Sequence, residues 1–172
     1  MKRILKIILC VMLVNTVLCI NSFAAPYDPN NYTSVNEPSE LLPPGVKSSR
    51  VSELATRRGD FFARADLVIS DEGNGDVGAF AKAYMNYDVQ AVYITIYLDR
   101  LDKETNRWQQ VDYYDAEFYA ADYPDGLSDP TVNHIFENQK KGNHYRLRAT
   151  FSAYDGQTFE GFTPTTDGIL IQ

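Results

Sequence analysis

The chain has 172 residues, 16 Lys and Arg against 23 Asp and Glu, and a formal net charge of −7. So acidic a surface repels nucleic-acid phosphates and anionic membranes, which excludes both as general partners. The only two cysteines, Cys10 and Cys19, sit near the N-terminus, so disulfides, thiol nucleophiles and cysteine-based metal sites have no residues to use in the rest of the chain.

Residues 1–24 read as a secretion signal. Lys2, Arg3 and Lys6 form a basic start, Ile7 to Val14 is an apolar run, and Ser22-Phe23-Ala24 supplies the small-x-small pattern before a cleavage point. Thr16-Val17-Leu18 lacks the small residue that a lipid-anchored cysteine needs immediately before it, so Cys19 is not expected to be acylated. Cleavage after Ala24 removes three basic residues and no acid, leaving 13 bases against 23 acids and a net charge of −10. The expected product is secreted, monomeric and free of the membrane.

From Ala25 to Arg57 the chain is rich in Pro, Ser and Asn with scattered apolar residues, the composition of a flexible arm. Asn31-Tyr32-Thr33 has the form of a glycosylation sequon within it. Residues 58–172 differ: they are dense in aromatic and β-branched residues punctuated by turn signals, and form one domain large enough to fold alone. Arg58-Gly59-Asp60 spells an adhesion tripeptide but runs straight into a strand, where it would not be displayed.

The domain reads as strands in order. Phe61 to Ile69 places Phe61, Ala63, Ala65, Leu67 and Ile69 on one face. Val77–Tyr87 follows, and then Ala91–Asp99, with Val92, Ile94, Ile96 and Leu98 inward and Tyr93, Thr95 and Tyr97 outward. Arg107–Tyr119 and Thr131–Glu137 come next. His144–Ala153 repeats the alternation, with Tyr145, Leu147, Ala149, Phe151 and Ala153 inward. Gln157–Phe162 and Gly168–Ile171 close the set. Period two over such lengths marks antiparallel strands, and seven or eight of them predict an all-β, Ig-like sandwich.

Between the first two strands lies Gly73-Asn74-Gly75-Asp76-Val77-Gly78, a literal G-x-G-x-x-G among acids. A dinucleotide site needs a helix after the glycines and βαβ spacing; Ala79 to Met85 could be helical in isolation, but the next strand comes only a short turn later and no βαβ spacing follows. A calcium loop counted from Asp71 would need oxygen ligands where Gly73 and Gly75 stand, and glutamate where Lys82 stands. Asn74-Gly75 is instead the favoured pair for a type I′ hairpin turn, because both tolerate positive φ.

Chemistry is sparse elsewhere. His134 and His144 are the only histidines, too few for a His-rich metal site, and no nucleophile elbow occurs. Acid pairs abound among Asp112, Asp115, Glu117, Asp122 and Asp125, as a solvated face would show. No cofactor, metal or catalytic set is implied, and the chain is not expected to be an enzyme; a small hydrolase is the third-ranked reading.

Lys140-Lys141-Gly142-Asn143-His144-Tyr145-Arg146-Leu147-Arg148-Ala149 resembles the E–F corner and F strand of fibronectin type III domains. The resemblance implies a tyrosine corner, in which the Tyr145 phenol bonds backbone just upstream and fixes the crossover. Tyr154 to Phe162 resembles the following F–G hairpin, whereas the family's early tryptophan is absent, with Phe80 or Tyr84 nearest its place. The chain is also similar to a group of short secreted proteins of clostridial Gram-positive anaerobes. That likeness rests on RGDFFARADL (58–67), ISDEGNGDVG (69–78), AKAYMNY (81–87), YLDR (97–100), YPDGL (123–127) and EGFTPTTDGILI (160–171). It implies a signal peptide, a variable arm and one domain, and says little about activity.

A fibronectin-like arrangement makes the strands holding Tyr93 and Arg146 neighbours. Outward Tyr93, Thr95 and Tyr97 then lie beside outward His144, Arg146 and Arg148, with Trp108 extending the row. Tyr93, Tyr97, Trp108, Arg146 and Arg148 are the candidate ligand-binding residues, since flat rings beside guanidinium groups stack on sugars or hold an acidic peptide. Cross-strand Tyr–Arg pairs also stabilise exposed sheets without any ligand. The expected function is an extracellular, non-catalytic binding module for a glycan or protein; a structural component of the cell envelope is the alternative.

Overall fold

The computed structural model describes residues 33–54 and 60–172. The signal segment, both cysteines, most of the sequon and Arg58-Gly59 lie outside the described residues.

Among the described residues nine strands form two antiparallel sheets. β1 (Ser48–Leu54), β2 (Phe62–Gly73), β3 (Asp76–Met85) and β6 (Thr131–Phe136) make a four-stranded sheet in the order β1-β2-β3-β6. The second sheet has the order β5-β4-β7-β8, built from β4 (Ala91–Asp102), β5 (Arg107–Tyr119), β7 (Asn143–Tyr154) and β8 (Phe159–Phe162). β9 (Ile169–Ile171) pairs with β7 beyond β8. The chain changes sheet between β3 and β4, β5 and β6, and β6 and β7, which is the crossover pattern of an Ig-like sandwich.

The alternation read from β4 and β7 is what builds the core. Val92, Ile94, Ile96 and Leu98 face Leu67, Ile69, Ala79 and Ala81 across the sandwich, alongside Tyr145, Leu147, Ala149 and Phe151, all essentially without solvent contact. Burying side chains of this size contributes about 1.5–3 kcal/mol each before ordering entropy is charged. Phe62 and Phe162 meet edge to face at 5.0 Å, and Phe162 stacks on Phe151 at 5.5 Å, closing one end.

Two local predictions hold at atomic detail. Asn74 and Gly75 turn the β2–β3 hairpin with φ of 58° and 91°, between paired Gly73 and Asp76. The Tyr145 hydroxyl donates to the Lys140 carbonyl at 3.0 Å, and the Asn143 amide donates to the same oxygen at 3.0 Å. The tyrosine corner therefore clamps the β6–β7 crossover and sets the height of β7 against β4.

Three expectations differ from the structure. Ala63 is exposed while Phe61 and Phe62 are both buried, because the ladder shifts register between Phe62 and Arg64. A bulge of this kind turns consecutive residues to one side and breaks the strict alternation. Ser48–Leu54, placed by composition in the flexible arm, is β1, paired along its whole length with β2. Its ladder is backbone, and only Ser49 is buried, so no apolar pattern announces it. Thr33–Leu42, likewise read as arm, docks on the second sheet.

Candidate functional site

The outer face of the five-stranded sheet carries every candidate residue. β4 presents Tyr93, Thr95, Tyr97 and Asp99 outward, and its register with β7 sets Ser152, Thr150, Arg148 and Arg146 directly beside them. On the other flank β5 sets Glu117, Asp115, Tyr113 and Gln110 against the same four, after a bulge between Leu98 and Asp99. The predicted juxtaposition of tyrosines with arginines is thus present. Tyr97 pairs with Arg148, whose guanidinium carbon lies 4.8 Å from the tyrosine ring centre.

The predicted exposure is not. Tyr97 is 2% exposed, Arg146 0% and Arg148 2%, so this half of the face is closed. Trp108 is half-buried, with the Arg146 guanidinium carbon 4.5 Å from its ring centre. Segment 33–42 forms a strap over them. Both terminal nitrogens of Arg146 donate to strap carbonyls, Nη1 to Glu37 at 2.5 Å and Nη2 to Val35 at 2.9 Å. Arg148 Nη1 donates to the Thr33 hydroxyl at 3.2 Å. Further along, the Leu42 amide donates to the Gly168 carbonyl and the Gly168 amide to the Glu40 carbonyl, at 2.9 and 2.8 Å. Sequence reasoning missed the strap because it seats polar backbone on guanidinium groups and leaves no apolar period to read.

Asp99 organises the closed half. Its Oδ2 accepts from Arg146 Nε at 3.1 Å and from Arg148 Nε at 2.6 Å, and its Oδ1 accepts from Arg148 Nη2 at 3.0 Å. Arg148 Nη2 also donates to the Gln110 side chain at 3.1 Å. Two buried cations on one buried anion leave a surplus positive charge. Burial pulls the Arg146 guanidinium below its ordinary pKa, opposed by the Asp99 charge and hydrogen bond, helped by the Arg148 charge, and opposed again by the Glu37 carboxylate. An arginine stays charged through such shifts. His144, expected on the solvated face, is half-buried, and burial lowers its pKa, with the Lys103 charge adding to that.

The other half of the face is open at its margin only: Thr95, Thr150 and Ser152 are buried, while around the predicted Tyr93 the structure gathers two exposed aromatics, Tyr119 and Phe159, that sequence reasoning did not name. Tyr93 meets Tyr119 edge-on at 6.2 Å and Phe159 at 6.2 Å and 35°. Phe159 stacks on Tyr154 at 4.5 Å. Tyr119 and Phe159 are 43% and 41% exposed, enough to present ring surface to a ligand. The Tyr119 hydroxyl donates to Glu117 Oε2, and that bond, followed by burial, pushes the phenol up to about 12. Among the described residues no group of three or more His, Cys, Asp or Glu is placed to hold a metal ion. Tyr119 was reachable from sequence, since it lies two residues beyond Glu117 on a strand already assigned; Phe159 needed the β7–β8 register.

No family model matches the chain, and no curated protein matches it. Among solved structures it is similar to the C-terminal domain of wzt, at 15% identity over 81% of this chain and 89% of that one, with a TM-score of 0.42. A likeness of that strength carries no conclusion about the ligand.

Proposed function

We propose that this protein is an exported, non-catalytic binding module that takes a glycan on the open half of the five-stranded sheet. The observation that carries the reading is the grouping of Tyr93, Tyr119 and Phe159, drawn from three different strands, with ring surface exposed beside the Glu117 carboxylate. Isolated exposed aromatics are ordinary on protein surfaces, whereas a contiguous group marks a contact site. Rings offer the apolar faces of a sugar a flat surface, and a carboxylate beside them accepts from sugar hydroxyls. A rigid sheet holds these groups without the ordering cost that a loop site would incur.

Calorimetric titration with neutral oligosaccharides tests the reading. Tyr119→Ala and Phe159→Ala should each weaken binding about tenfold or more, the effect of losing roughly 1.4 kcal/mol of contact, with unfolding midpoints close to the parent's. Parent-like affinity in both variants would remove the platform from consideration.

A further inference from the structure

The strap meets the arginines as a ligand would. Ser34 to Glu37 form a turn, closed by the Glu37 amide donating to the Ser34 carbonyl at 3.1 Å. The turn brings the carbonyl oxygens of Val35 and Glu37 together on the two terminal nitrogens of one guanidinium, Arg146. That is the two-oxygen, two-nitrogen fork with which arginine binds a carboxylate. The strap also carries the Glu37 carboxylate, whose field acts on Arg146 and offsets the surplus charge that Asp99 leaves. Turn and carboxylate together stand in for an acid.

The seat is nonetheless imperfect. The Ser39 hydroxyl oxygen of the strap is buried with no hydrogen-bond partner among the described residues. An orphaned buried hydroxyl raises the energy of the closed arrangement relative to one in which a ligand or water satisfies it. Residues 40–42 are anchored by backbone bonds at Gly168 and by Asp167 to the Glu40 amide, whereas 33–37 are held to the sheet by the two arginines. The turn can leave while the anchor stays.

Resting on the glycan reading above, we infer that turn 34–37 occupies, in cis, a carboxylate half-site formed by Arg146, Arg148 and Trp108, and that an acidic sugar displaces it. The distribution of charge narrows the ligand further. Asp115 and Glu117 lie opposite Thr95 and Tyr93 in the open half, where they repel a polyuronate, while uncharged Gln110 lies opposite Asp99 in the closed half. The fitting ligand is neutral along most of its length and bears one carboxylate at the arginine end. Asp99 lies six positions beyond Tyr93 on β4, so the ligand spans about 20 Å at roughly 3.4 Å per residue.

The test uses the full chain with two probes, a xylo-oligosaccharide carrying a single glucuronate and the unsubstituted oligosaccharide of equal length. Glu37→Pro removes the amide that closes the turn and should raise affinity for the acidic probe at least tenfold, leaving the neutral probe unchanged. Glu37→Gln, which keeps the turn and removes only the charge, should raise it about threefold. Arg146→Lys retains charge but loses the fork, and should abolish the preference for the acidic probe. Trp108 is the chain's single tryptophan, so acidic-probe binding should shift its emission and neutral-probe binding should not. Neutral binding in every variant with no gain for the acidic probe would overturn this inference and leave the platform standing. Absence of binding by either probe to any variant would overturn both.

Discussion

The carboxylate of Asp99 holds the guanidinium of Arg148 through both oxygens, at 2.6 Å and 3.0 Å, with all of these atoms buried. Arg146 shares the 2.6 Å oxygen's carboxylate from the other side, at 3.1 Å. Asp99 is thus the anion that lets two cations lie under the strap.

Asp99→Asn should therefore be among the more damaging single substitutions in the protein. The asparagine keeps the shape but takes away the buried counter-charge that both guanidinium groups share, and removing one partner from a buried ion network costs about 3–5 kcal/mol. Denaturant unfolding should show the midpoint falling by the corresponding amount. A loss under about 1 kcal/mol would mean that water reaches the pair and that the half-site is open in solution.

Tyr145→Phe keeps the ring in the core and removes only the bond to the Lys140 carbonyl. That carbonyl still accepts from the Asn143 side chain, so the expected loss is about 1–2 kcal/mol with the fold retained. Adding Asn143→Ala should cost more than the sum of the two single losses, because only then is the carbonyl left without either partner. An additive double variant would show that the two donors act independently.

The contrast between the corner and the strap shows what a sequence of this kind reveals. β4 and β7 were legible because Val92, Ile94, Ile96 and Leu98, and Tyr145, Leu147, Ala149 and Phe151, alternate strictly and all face the core. The tyrosine corner was legible because it is local, five residues from donor to acceptor. The strap is neither apolar nor local: Arg146 reaches Val35 across 111 positions and bonds to its backbone, which every residue type presents alike. For the same reason the outward set Tyr97, Arg146 and Arg148 was placed on the right face and given the wrong exposure. One hint was available, since Asp99 continues the outward series of Tyr93, Thr95 and Tyr97, and a carboxylate on the same strand face as two arginines is a set that something can cover.

Gly75 should tolerate no side chain. Its φ of 91° disfavours any L-residue, and a Cβ built there would approach the Gln139 carbonyl oxygen to 2.6 Å. That carbonyl belongs to the loop tied to the hairpin by the Gln139 amide donating to the Gly75 carbonyl at 2.7 Å. Gly75→Ala should cost upwards of about 1 kcal/mol, whereas Asn74→Gly, at a position already at φ 58°, should change stability by no more than a few tenths. Equal midpoints for the two variants would contradict the turn geometry.

Export is tested by the mass of the product. Cleavage after Ala24 predicts a secreted chain beginning at Ala25 and carrying no lipid. An N-terminus within residues 1–20, or an acylated Cys19, would place the protein on the membrane and the binding face at the cell surface.

The platform has its own titration. The Tyr119 phenol is pushed up to about 12 first by its hydrogen bond to Glu117, then by burial and the Glu117 charge. The folded value lies above the ordinary value of 10.0, so the bond's contribution to stability is fully present below about pH 10 and is lost as pH rises through about 12. Ultraviolet difference titration should show a late phenol step near pH 12, and that step should be smaller by one phenol in Tyr119→Phe. Glu117→Gln removes the carboxylate that holds the proton, and should bring Tyr119 down towards the ordinary range. A glycan seated on the platform and bonded to Glu117 competes for the same carboxylate, so neutral-oligosaccharide binding should also lower the late step. A late phenol unmoved by ligand would show that the sugar seats away from Glu117, and the search for its contacts would turn to Tyr93 and Phe159 alone.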